Sequence, residues 1–390
     1  MGKFKKISET MKTTQKLLLG IVGVLAISCS GGPDKMLTEI YPDGSCRRTF
    51  IAYANSSFMT GSTTEENNPF SVEIDSTYFI AWQYKGGEIR TDFPILQSTY
   101  DSLILTDTTS KIPSIDDFLV FASRSYKSVE EMSKIFKLKS FSLWNEKTVN
   151  YDFEKKFRFF YTYFTYKETY PKTIIAVFKF PIENYMNEEE IGFWFTGKPD
   201  LVQGMNGFEM EEFTSALKKK YDNWLFYNLW DSHYKNIINH YKSLKNQPIS
   251  REELIRLQDT IYEKYSEKED LFFETDKYLN LFFNTTAFSG LQQIILDSPT
   301  TYNKDSVENR PFLSGGHGYT YQLIMPGEII YSNGVNRNDT LTWNLTELRM
   351  IPNDFTIEAQ SRKLNVWMLV FTGMLAIAAI VIFVYRRKIR

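Results

Sequence analysis

The sequence predicts an α+β fold: an antiparallel, β-rich exported domain that carries a helical insertion and ends in one C-terminal transmembrane helix. Three observations predict it. The chain closes on 366–385, a run without a charged residue, and Arg386, Arg387, Lys388 and Arg390 follow at once. Before it, alternating and aromatic runs separated by Pro, Gly and Asn turns occupy both flanks of the chain. Between those flanks, over 187–300, apolar residues recur at three-and-four spacing instead.

Composition sets the frame for each element. A hydrophobic content of 43% beside 24% charged residues is ordinary for a domain that folds. The formal charge of −2 offers no basic face, which argues against a nucleic-acid partner. Aromatics are abundant, with 31 Phe, 24 Tyr and 7 Trp. They imply a large aromatic core, or a surface on which glycans or a partner could stack.

The chain begins with Lys3, Lys5, Lys6, Lys12 and Lys16, then an apolar run over 17–27. That run is too short to span a bilayer and suits a signal-peptide core. It closes Leu25-Ala26-Ile27-Ser28-Cys29, which resembles the lipobox of bacterial lipoproteins. The resemblance implies that 1–28 is a signal peptide and that Cys29 becomes the lipidated first residue. The alternative is a plain secretory signal or an uncut anchor, with Cys29 incidental. Cys29 and Cys46 are the only cysteines, so no disulfide framework is expected, and a Cys29–Cys46 bridge stays open only without processing.

Residues 29–35 read as a tether. The first part of the β domain follows over 36–186. Pro42-Asp43-Gly44 should turn a hairpin, with strand candidates at 77–84 and 118–123. The stretch 55–68 is polar and reads as loop, and 91–117 is weakly patterned and reads as loop with short strands. Ser128 and Glu131 fit a capping box opening a helix to about Phe136. Residues 157–165 alternate with bulk on both faces, as a strand in the middle of a covered sheet would, and 174–180 could pair with it.

The insertion, 187–300, opens on Glu188-Glu189-Glu190, carboxylates suited to a helix start. Phe213, Leu217, Tyr221, Trp224, Leu225, Tyr234, Ile237 and Ile238 mark a long amphipathic helix. Ser250 with Glu253 caps a helix to about Tyr265, and Ser266 with Glu269 repeats the cap before 271–283. A membrane-proximal β segment over 301–365 completes the β domain. Its strands lie at 319–325, 328–332, 340–344 and 355–361, divided by turns at Pro326-Gly327, Asn333-Gly334 and Asn338-Asp339.

The anchor, 366–385, is the length one helix needs to cross roughly 30 Å of hydrocarbon. Its eleven Leu, Ile, Phe and Val residues favour insertion by about 3–7 kcal/mol. Val366 and Trp367 mark one boundary; Tyr385, Arg386 and Arg387 mark the other, with 386–390 a cytoplasmic tail under the positive-inside rule. The expected location is a bacterial inner membrane, with the main domain on the periplasmic side.

The block 325–365, with Pro326-Gly327, Asn333-Gly334, Thr342-Trp343 and a strand before the helix, resembles the membrane-proximal segment of exported Bacteroidota lipoproteins. More distantly it is similar to the mycobacterial LppM-type lipoproteins. The resemblance implies location and architecture, not an activity, and the helical insertion departs from it. Asp-Ser/Thr-apolar triplets at Asp101-Ser102-Leu103, Asp259-Thr260-Ile261, Asp305-Ser306-Val307 and Asp339-Thr340-Leu341 resemble a Bacteroidota O-glycosylation sequon.

Chemistry-bearing motifs are scarce. His233 and His240 lie two helical turns apart, too far for one metal without other ligands, and the glycine-rich stretch around His317 lacks a nucleophile-elbow context. No phosphate loop, dinucleotide fingerprint or zinc spacing occurs, so no catalytic residue, metal or cofactor is assigned. The sequence therefore points to a non-enzymatic envelope protein that binds or scaffolds a protein, lipid or glycan partner. Trp224, Phe226 and Trp230 are its expected exposed surface. The rival reading is a carboxylate-based hydrolase of glycan or cell-wall substrate, which needs two acids facing across a cleft.

Overall fold

The structure is a computed structural model and describes residues 35–105, 118–135, 149–172, 178–297 and 318–389, less positions 63, 65, 66, 71, 198, 245 and 269. The expected signal, Cys29 and the tether to 34 lie outside the described residues, as do Glu269 of the expected second cap, Ser306, His317 and 174–177 of the expected strand 174–180.

The strands are β1 (Lys35–Ile40), β2 (Cys46–Tyr53), β3 (Phe79–Tyr84), β4 (Ile89–Arg90), β5 (Phe118–Tyr126), β6 (Asn150–Arg158), β7 (Tyr161–Tyr170), β8 (Gly318–Ile324), β9 (Glu328–Ser332), β10 (Val335–Arg337), β11 (Thr340–Thr346) and β12 (Phe355–Leu364). They form an eight-stranded sheet in the order β10-β11-β8-β1-β2-β5-β3-β4 and a four-stranded sheet in the order β6-β7-β12-β9. Every described pairing is antiparallel except β1 with β8. The main core draws Met36, Phe50, Trp82 and Tyr321 from the larger sheet and Phe164, Tyr166 and Ile357 from the smaller.

The β1–β2 hairpin forms as expected. Asp43 accepts the Ser45 amide (3.0 Å) and hydroxyl (2.7 Å), and Gly44 takes a left-handed φ of 95°. Of the three late turns, one joins paired strands: Asn338 and Asp339, both at positive φ, link β10 to β11. The other two carry the chain between sheets, because β8 and β10 belong to the larger sheet while β9 belongs to the smaller. Gly327 sits at φ 88° with the Arg362 carbonyl where a side chain would go, so only glycine fits that crossing.

The run 157–165 is a correction. It is two strands, not one: Arg158 pairs with Tyr161 across a two-residue turn at Phe159-Phe160. Period-two bulk runs through the turn, so periodicity alone does not locate the reversal. β7 is interior to its sheet, but only one of its faces is buried, through Phe164, Tyr166, Glu168 and Tyr170.

Helices appear where loop is expected: α1 (Ser56–Met59), capped by Asn55, buries Phe58 and Met59, and α2 (Gln97–Leu105) buries Tyr100. α3 (Val129–Ile135) has the Ser128 cap, with Glu131 reaching back to the Lys127 amide. α4 (Glu188–Ile191) has a full capping box between Asn187 and Glu190. α5 (Gly207–His240) runs 34 residues from another, Asn206 with Glu209. α6 (Arg251–Arg256) breaks at Leu257 before α7 (Gln258–Tyr265), and α8 (Thr275–Phe283) starts later than the expected 271, because turns occupy the residues before it. α9 (Leu291–Asp297) completes this set. α10 (Val366–Ile389) ends the chain; its segment Val366–Arg387 is long and apolar enough to cross a membrane and is almost wholly exposed.

Candidate functional site

Two sites stand out, and β7 contributes to both. The first is interior. Arg48 on β2 and Glu168 on β7 form an ion pair at 2.8 Å, with both side chains fully buried between the sheets. Glu168 Oε2 also accepts from the hydroxyls of Tyr166 (2.7 Å) and Tyr321 (2.6 Å), and Oε1 accepts from Tyr170 (2.6 Å). Arg48 donates to Thr38 (3.0 Å) and to the hydroxyl of Tyr151 (3.0 Å). The carboxylate is thus met from every side, the condition under which a buried pair is tolerated. Burial first, and then the negative charge of Glu168, raises Tyr151, Tyr166 and Tyr170 well above the usual phenol range. Burial also pushes the nearby Cys46 thiol up to about 11, so it is a packing group and not a nucleophile. Arg48 and Glu168 at its centre are fully buried, Tyr151 at its margin is half-buried, and the network staples the two sheets together.

The second site is the joint between the smaller sheet and α10. β12 pairs with β7 as far as Leu364↔Tyr161, and only Asn365 separates it from the helix. Asn365 is clamped to the β6–β7 turn. Its amide donates to the Phe160 carbonyl (2.8 Å), its Nδ2 to the Phe159 carbonyl (2.8 Å), and its Oδ1 accepts from Thr162 (2.8 Å). Phe157 stacks on Trp367 in the first turn of α10, at 6.0 Å and 17° between planes. A single-residue link held by three hydrogen bonds ties the start of α10 to the β6–β7 turn.

The turn itself is unusual. Two-residue hairpin turns favour Gly or Asn where φ is positive. Here Phe159 takes that conformation, at φ 33°, against a backbone preference of about 1–2 kcal/mol. Phe157, Phe159 and Phe160 are 56%, 46% and 38% exposed. Beside them lies an open groove of about 620 Å³ lined by Lys155, Phe164, Lys363, Val366 and Trp367. Lys156 pairs with Glu154 (2.6 Å) and Arg362 with Glu328 (2.9 Å). Arg158 and Lys363 have no acidic partner among the described residues.

The expected patch of Trp224, Phe226 and Trp230 does not form. Trp224 and Trp230 are 3% and 0% exposed, while Phe226 is 38% exposed beside Phe272. The indoles donate to the carbonyls of Phe180 (2.8 Å) and Gln258 (3.2 Å). The reason is that α5 serves two cores. Its first half packs Leu217, Tyr221 and Trp224 against Ile191 and Phe195, and its second half packs Trp230, Tyr234 and Ile237 against α6–α9. A helix buried on different faces along its length exposes no continuous stripe.

Comparison with known proteins gives no match: no family model fits the chain, and no curated protein or solved structure matches it. His233 bonds to Thr275 (2.7 Å) and His240 to the Asn236 carbonyl (2.8 Å), and no metal-holding cluster occurs among the described residues. A cleft of about 730 Å³ between α4 and the start of β12 is lined by Glu183, Glu188, Arg349 and Asp354. Asp354 already accepts the Lys172 amide (2.7 Å), and burial lowers Arg349, which donates to the Thr196 carbonyl (2.9 Å). Among the glycosylation triplets Ser102 and Thr260 are exposed, but Thr340 is buried in β11, where a glycan has no room.

Val366, Trp367 and Tyr385 are exposed on α10, as are Arg386 and Arg387. What sequence reasoning missed is the Asn365 clamp and the aromatic tip beside it. The signal was Phe157, Phe159 and Phe160 interleaved with Lys155, Lys156 and Arg158.

Proposed function

We propose that this protein is a non-enzymatic, membrane-anchored envelope protein whose folded domain binds or scaffolds a partner beside the bilayer. In this reading α10 spans a bacterial inner membrane with Arg386 and Arg387 on the cytoplasmic side. The domain stands in the periplasm, Cys29 carries lipid, and the helices of 187–300 are an insertion into the β domain. The observation that carries the reading is the joint. A membrane-length helix continues from β12 through one clamped residue, which suits a domain kept in a fixed pose on a membrane. A free-swinging tether would serve capture at a distance instead.

Protease treatment of spheroplasts, followed by carbonate extraction, tests this. The expected outcome is digestion of the domain from outside, with the α10 fragment retained in the membrane. Release of intact protein by carbonate, or complete protection from protease, overturns the reading.

A further inference from the structure

We infer that the Phe159-Phe160 tip of the β6–β7 hairpin enters the interfacial layer of the same bilayer as α10, and that Lys155 and Lys363 beside it hold the headgroup of an anionic phospholipid. This rests on the membrane-spanning reading of α10.

Three observations place the tip at that depth. The uncharged stretch 366–385 covers about 30 Å at 1.5 Å per residue, which matches the hydrocarbon thickness and sets Trp367 at its edge. Phe157 stacks on Trp367, so its ring shares that level. The carbonyls of Phe159 and Phe160 are bonded to Asn365, one residue before the helix, so the turn does not lift away without breaking the clamp.

Residue chemistry agrees with the depth. Three exposed phenylalanines at one turn are unfavourable in water and suited to the headgroup–acyl boundary, where aromatic residues concentrate. A phenylalanine held at positive φ, where glycine would sit without strain, shows that the side chain is kept at a backbone cost. The charges around it are mainly cationic, and the Asp43 carboxylate, which Lys155 helps to hold ionised, already accepts from Ser45. Lys155 Nζ is 2.6 Å from the Pro42 carbonyl at the groove wall, and Lys363 lines the same groove without an acidic partner among the described residues. Glu154 and Glu328 are each occupied by another cation, Lys156 and Arg362. A groove with two ammonium groups and an apolar floor of Phe164, Val366 and Trp367 matches a phosphate headgroup above an acyl chain.

The test uses the full chain reconstituted in nanodiscs of phosphatidylcholine with about a third phosphatidylglycerol, and native mass spectrometry of the lipids it retains. Wild type should retain phosphatidylglycerol over phosphatidylcholine by roughly ten- to thirtyfold beyond its share, two lysines at the surface contributing about fivefold each. Lys155→Gln with Lys363→Gln should lower that preference by at least about tenfold, the contribution of the basic tail over 386–390 being common to both proteins. Should the double variant fail to fold, each single substitution decides, with an expected fall of about fivefold. A preference unchanged by these substitutions overturns the inference. Carbonate extraction of wild type separates the two levels: retention with no lipid preference defeats this inference alone, whereas release defeats the spanning reading and this one with it.

Discussion

The two ends of β7 invert the usual rule in opposite senses. At one end Glu168 is a charge with no exposure, and at the other Phe159 and Phe160 are large apolar side chains held out at a turn. The buried charge persists because Arg48 and three tyrosine hydroxyls replace its water. The exposed rings form a small apolar patch of the kind that marks an interaction site. One strand therefore reports on two solvents: protein polar groups within, and lipid at the tip on the proposed reading.

Raising the pH should separate the ends most strongly. The buried tyrosines Tyr151, Tyr166, Tyr170 and Tyr321 keep their protons to higher pH than the unfolded chain, where tyrosine ionises near 10. Their stabilising effect is therefore complete below pH 10 and is lost as pH rises above it, by up to about 1.4 kcal/mol per tyrosine per pH unit. Urea unfolding at pH 9, 10 and 11 should show a steep loss beginning near 10. A flat profile would mean that these hydroxyls are not sequestered.

Next in size, Arg48→Met should cost about 3–5 kcal/mol, because it strands a buried carboxylate. Arg48→Met combined with Glu168→Leu should recover most of that loss, since removing both charges removes the desolvation cost too. Equal losses in the single and double variants would show that the pair matters for shape and not for charge.

Asn365→Ala should have a smaller effect, about 1–2 kcal/mol, from leaving the Phe159 carbonyl and Thr162 hydroxyl without their partner. Hydrogen exchange is the sharper reading: amides at the start of α10 should exchange faster while those of β7 near Glu168 stay protected. Acceleration along the whole of β7 would mean the two ends are not independent.

Phe159→Ser should be the mildest, within about 0.5 kcal/mol of wild type in denaturant, as expected of an exposed ring. Phe164→Ser, five positions along on the buried face, should lose several times more. A large loss at Phe159 would place its ring in the core and remove the comparison.

Much of this was legible in the sequence. Pro42-Asp43-Gly44 located the first hairpin, and an uncharged run located the terminal helix. Asn187 with Glu190 shows why the acid cluster reads as a helix start: the third glutamate closes a cap. The Arg48–Glu168 pair was hidden because its members are far apart in sequence. Its trace was parity: Arg48 shares a strand face with Phe50 and Ala52, and Glu168 shares one with Phe164, Tyr166 and Tyr170. A charge on an apolar face asks for a partner but does not say which. The tryptophans of α5 misled for a different reason. Amphipathic spacing reveals one buried face, and α5 changes the face it buries partway along.

The parallel pairing of β1 with β8 bears on how the protein is made. Thr38 and Tyr321 bond directly across 283 residues, and β1 lies between β2 and β8 inside the larger sheet. β1, the earliest of the described strands, must wait with one edge open until β8 is made, a high-contact-order closure that is slow. A quality-control factor that shields unpaired strand edges would meet this chain at β1 throughout that interval.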